Sequence, residues 1–154
     1  MKSTERLPRW RWDNVFSGID TPDFREALEK LERDVQEFED YLDANGVGGQ
    51  AEEPASPAQV IEGSVTRAHE IETLFDDVEA YLYGRIDTDA FDDEAQAMRS
   101  RLQPLGTKLT VLLKRFTAWM GGVDLDAAAA DSQLVREHRF GLERYQGLSA
   151  HLMG

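Results

Sequence analysis

The sequence predicts an all-α protein: an antiparallel bundle of three to four long helices behind a short, extended N-terminal arm. Three observations predict it. Apolar residues recur at alternating spacings of three and four over long stretches, the period of one face of an α-helix. Hydroxyl residues followed by proline open two of those stretches, and glycines close them, the punctuation of helix starts and stops. No stretch alternates apolar and polar residues with period two for long enough to make a sheet. A chain of 154 residues fits one domain with a real core.

Residues 1–20 form the arm. Its first twelve residues carry Lys2, Arg6, Arg9 and Arg11 with Trp10 and Trp12, in contrast to the acidic remainder. The alternation Arg9-Trp10-Arg11-Trp12 occurs in some nucleic-acid and membrane-surface segments. It is too short for an amphipathic anchor, so the expectation is an arm laying its tryptophans on the bundle.

Residues 21–154 form the bundle. Thr21-Pro22-Asp23 starts a helix near 22–44, with a hydroxyl cap, proline at the first position and acid in the first turn. Phe24, Leu28, Leu31, Val35, Phe38 and Leu42 are its stripe, which ends before Asn45-Gly46. A glycine-rich loop over 45–56 leads to Ser56-Pro57, the start of a helix near 57–83 that Gly84 closes. Its stripe is Ile61, Val65, Ala68, Ile71, Phe75, Val78 and Leu82. The third helix, near 90–120, carries the longest stripe, from Phe91 through Ala95, Met98, Leu102, Leu105, Leu109, Leu112 and Phe116 to Trp119. Pro104 inside it is expected to kink rather than end it. A short helical link over 124–130 precedes a last helix near 132–152, with Leu134, His138, Leu142, Tyr145, Leu148 and Leu152. Leu31, Phe38, Ile71, Phe75, Leu102, Leu109 and Phe116 are the expected core. The same spacing could serve an intermolecular coiled coil, but the glycine-rich loop and the short turn at 84–89 favour folding back within one chain.

The chemistry available is narrow. There is no cysteine, which excludes disulfides, thiolate metal sites and a cysteine nucleophile. Seventeen basic against thirty acidic residues give a net charge of -13, which repels phosphate backbones and argues against nucleic-acid binding. No apolar run approaches the ~20 residues of a membrane span, and no signal-peptide core opens the chain. The expectation is a cytoplasmic protein without a membrane partner.

His69-Glu70 begins like the zinc-peptidase motif H-E-x-x-H, but Thr73 stands where the second histidine belongs. His138 and His151 lie too far apart along one helix to share a metal, and His138 falls on the apolar stripe as a core or interface residue. The acids Asp87, Asp89, Asp92 and Asp93 miss the EF-hand pattern, with Asp92 and Met98 at its glycine and glutamate positions. They read as helix caps. A metal-binding acidic bundle would need Glu-x-x-His pairs, and the chain has none. No catalytic, cofactor-binding or metal residue is assigned.

Several segments nonetheless look familiar together. Leu7-Pro8-Arg9-Trp10 to Trp12-Asp13-Asn14-Val15-Phe16, followed by Ile19-Asp20-Thr21-Pro22-Asp23-Phe24, resembles the N-terminal start of oligoendopeptidase F-type zinc metallopeptidases, relatives of thimet oligopeptidase. Ala80-Tyr81-Leu82-Tyr83 to Asp87-Thr88-Asp89, with Glu94-Ala95-Gln96-Ala97 and Ser100, is similar to that family's helix junction. Leu148-Ser149-Ala150-His151-Leu152-Met153 looks like a further family helix, with Gly154 in place of its usual serine. The resemblance covers the family's opening, non-catalytic region. It implies a domain forming part of the wall of the channel that admits oligopeptides, partnered in cis or trans by a catalytic domain that holds the zinc. The family's H-E-x-x-H helix has no counterpart here, so the chain alone is expected to be inactive and to bind no cofactor. The alternative is a stand-alone helical module that binds a partner or self-associates. Either way, the last helix is the flank expected to meet a neighbour.

Overall fold

The computed structural model describes residues 15–152. These residues are all-helical, with no strand among them. Six helices follow in order: α1 (Pro22–Ala44), α2 (Pro57–Thr88), α3 (Asp93–Met120), α4 (Leu125–Asp131), α5 (Gln133–Glu137) and α6 (Arg139–Leu152). The first three are long, and the last three form a compact group beside them. The arm residues 1–14, with Trp10 and Trp12, lie outside the described residues, as do Met153 and Gly154.

Local chemistry sets most of the boundaries. Ser56 and Gln59 form a reciprocal capping box at the start of α2, with proline at the first helical position, which satisfies amide groups the first turn leaves free. Asp92 caps α3 by accepting the Ala95 N–H at 2.9 Å and also accepts Arg85 Nε at 2.7 Å. Asp124 and Ser132 cap α4 and α5. Thr21 departs from expectation: its hydroxyl makes no cap bond and instead donates to Gly18 O and Asp23. α3 runs unbroken through Pro104.

The first core lies among α1, α2 and α3. All six stripe residues of α1 are buried, with Ile71, Val78, Leu82, Leu102 and Leu109 against them. Phe75 is only partly buried and packs onto the edge of this core. Phe16 and Ile19, ahead of α1, are buried in it too; Phe16, Phe24 and Tyr81 make a triangle with ring centres 5.3, 5.4 and 5.6 Å apart. Phe24 thus meets the end of α2, whereas Tyr41 donates its hydroxyl to Gln59 O at the start of α2, so α1 and α2 are antiparallel. Arg85 with Asp92, and Arg99 with Tyr83, give α2 and α3 the same relation. α1 and α3 therefore run in one direction, and a ladder of ion pairs marks their register: Glu32–Arg101 at 2.8 Å, Glu39–Lys108 at 2.6 Å and Asp43–Arg115 at 2.6 Å. The three cations recur every seven residues on α3. Such exposed pairs contribute little stability each.

The second core joins the start of α2 and the end of α3 to α4–α6. Ile61, Phe116, Met120, Leu125, Val135 and Leu142 are buried there. Ser132 ties this group to α2 by bonding Glu62.

Four further expectations are corrected. α2 continues past Gly84, which is buried mid-helix, and ends at Thr88, whose hydroxyl bonds Gly84 O and Arg85 O at 2.9 Å each. Phe91 does not begin the α3 stripe; it sits before the Asp92 cap and is 90% exposed. The expected helix over 132–152 is interrupted at His138, whose ψ of 9° ends α5. His138 itself is exposed rather than in the core, with Nδ1 3.0 Å from Leu134 O.

Candidate docking groove

Where α5 and α6 pass α2, they leave a groove of about 710 Å³. One wall is α2, where Ser64, Val65, Ala68, His69 and Glu72 recur at helical spacing. Leu113 and Phe116 of α3 form the floor, and Leu134, His138, Leu142 and Tyr145 the other wall. The capped starts of α4 and α5 hold that second wall in place: Arg136 reaches back to Ala129 O at 2.7 Å, and Gln146 donates to Met120 O and Val123 O at 3.0 and 2.7 Å. The Tyr145 ring meets Phe116 edge-on at 6.2 Å.

The groove is apolar at its base and acidic at its edge. Glu70, Glu72 and Glu137 line it, and none of its lining residues is lysine or arginine. At its base Ser64 is fully buried, and among the described residues its Oγ is the one buried side-chain polar atom without a hydrogen-bond partner. Phe140 at the rim is 85% exposed.

Beyond the groove, α6 keeps an uncovered apolar stripe. Tyr145, Leu148 and Leu152 remain 38%, 47% and 45% exposed, and of the predicted stripe on this helix only Leu142 is buried. Ser149, between them, turns inward against Gly121.

His69 and His138, about 70 residues apart in the sequence, line this same groove, whereas His151 is exposed near the end of α6 and does not. Thr73, in the place of the missing motif histidine, donates its hydroxyl to His69 O at 2.8 Å. Among the described residues no three His, Asp or Glu side chains come together to hold a metal ion. Of the acids at 87–93, Asp92 caps α3 as above and Asp93 stands in its first turn, whereas Asp87 lies in the last turn of α2 and Asp89, at that helix's C-terminal end, accepts the Phe91 N–H at 3.0 Å instead of capping a helix start. Sequence reasoning singled out the last helix but missed the groove and its acidic edge, because both walls contribute to it and neither pattern alone shows the gap between them.

Of the segments that carry the family resemblance, two meet in the Phe16–Phe24–Tyr81 triangle, which is core. Of the third, Leu148 and Leu152 lie on the open face of α6. Compared with protein-family models, curated proteins and solved structures, the chain matches none. Among the described residues, no helix is long and apolar enough to cross a membrane.

Proposed function

We propose that the chain is a non-catalytic helical docking module, whose working surface is the groove beside α2 together with the open face of α6. In this reading the three long helices, taken as an antiparallel bundle, are the rigid frame, and α4–α6 present the surface. The observation that carries it is the stripe Tyr145, Leu148 and Leu152, left partly exposed next to an apolar groove. Contiguous apolar surface of this kind marks sites of association.

Two partners are consistent with that role. The resemblance of segments from Leu7 to the end of the chain supports a catalytic zinc-peptidase domain, in cis or trans, with this chain as part of the wall around an oligopeptide channel. The core position of Phe16, Phe24 and Tyr81 favours the stand-alone module, since those residues serve the fold whatever the partner is. A cysteine-free chain suits a cytoplasmic setting for either.

Leu148→Glu with Leu152→Glu, both solvent-facing, should leave the unfolding midpoint nearly unchanged and abolish association. Mixing the chain with a separately expressed oligoendopeptidase F catalytic portion tests the first partner by co-elution and by restored hydrolysis of a quenched oligopeptide. Reading the coding DNA beyond codon 154 for an H-E-x-x-H segment tests it independently. If the double variant unfolds the protein, the α6 stripe is core and the docking reading fails.

A further inference from the structure

Resting on the docking-module reading, we propose that the groove takes an amphipathic helical segment whose apolar face is flanked by lysine or arginine. Two features of the groove point to that occupant. Its base is apolar, with Val65, Phe116 and Leu142. Its edge carries Glu70, Glu72 and Glu137 with no lysine or arginine among the lining residues, on a chain of net charge -13. A cationic partner would thus be steered in and held, and an anionic one repelled.

The shape favours a helix over an extended strand. Both walls are helical, and the described residues offer no sheet edge to which a strand could add. From Ser64 to Glu72 the α2 wall is about 12 Å long at 1.5 Å per residue, room for roughly two turns of an anchored helix. The stripe through Tyr145, Leu148 and Leu152 continues the apolar track beyond the groove. A second copy of this chain suits the edge poorly, because two strongly negative molecules would meet there.

The probe is a fluorescein-labelled Leu/Lys peptide of about 14 residues with apolar positions at i, i+3, i+4 and i+7, read by anisotropy against the full chain in about 150 mM salt. Two companions share its length: one replaces every lysine by glutamate, the other every leucine by serine. The Leu/Lys peptide should bind, and both companions should fail. Glu70→Gln with Glu72→Gln should weaken binding at least about tenfold, while Glu26→Gln with Glu37→Gln, an equal charge change on the exposed side of α1, should stay within about twofold. Equal loss in both glutamate pairs would reduce the effect to diffuse charge and overturn the proposal. If the Leu/Glu peptide binds as well and is lost on Phe140→Ser, the basic occupant is wrong while the docking module stands. Binding by no apolar peptide overturns both. A dimer in sedimentation that Leu148→Glu dissociates would make a second copy the occupant and refute the cationic helix.

Discussion

Replacing Gly63 by alanine probes how closely α1 and α2 approach. Gly63 lies under the ring of Tyr41: a Cβ there would stand 2.1 Å from the Tyr41 hydroxyl and 2.4 Å from Cζ. The ring is rigid, so it must swing away as a unit. Moving it loses the 2.9 Å bond from the hydroxyl to Gln59 O and disturbs Arg67, which stacks 4.0 Å from the ring centre. Overpacking of this kind costs about 1–3 kcal/mol, and the lost hydrogen bond adds about 0.5–1.5 kcal/mol. Alanine recovers up to about 1 kcal/mol through its better helix propensity. The net expectation is a loss of about 2 kcal/mol, measured as a shift in the urea midpoint at constant slope. The decisive measurement is the sign in a second background. In Tyr41→Ala the space is open, and Gly63→Ala should there stabilise by about 0.5–1 kcal/mol through propensity alone. If Gly63→Ala destabilises equally in both backgrounds, the close approach is not what selects glycine, and the packing argument fails.

Leu109→Ala, at a site 6% exposed between all three long helices, should cost about 2–5 kcal/mol in chemical denaturation; a loss under about half a kilocalorie would misplace it from the core. Asp92→Ala removes both the cap on Ala95 N and the Arg85 pair and should cost about 1–2 kcal/mol, of which Asp92→Ser should restore much by keeping the cap. Acid should weaken the fold. The Thr21 hydroxyl and the Ser17 N–H hold Asp23 at about 2. Lys108 lowers Glu39, and the Ala95 N–H, then Arg85, lower Asp92. Each carboxylate is depressed in the folded state, so its contribution is complete above the ordinary value near 4 and is lost as pH falls toward about 2. Urea midpoints between pH 6 and 2, taken at about 0.5 M salt to screen the net negative charge, should fall over that window, less steeply in Asp92→Asn; a flat profile would contradict the sign.

Helix existence and most starts were legible in the sequence because capping and periodicity are local. Pro22 and Ser56-Pro57 open α1 and α2 at the expected residues, and every member of the α1 stripe is buried. That stripe meets two neighbours, so the residues facing them have nowhere else to go. The misreadings also have local causes. Gly84 reads as a stop only until the helix around it is packed, and Phe91 continues the α3 period yet falls outside the Asp92 cap, where no neighbour covers it.

The sequence by itself determined the helical class, the net charge, the absence of thiol chemistry and which faces are apolar, since each is a property of residues near one another in the chain. Only the tertiary structure decided which of those faces are covered. The stripes of α1 and α6 follow the same period, yet α1 is sealed between α2 and α3 while α6 buries Leu142 and leaves Leu148 and Leu152 in solvent. The groove, the placing of His69 and His138 on its two walls and the ion-pair ladder between α1 and α3 belong to the same category. Each brings into one place side chains about 70 residues apart, which depends on how helices cross and which no local period encodes.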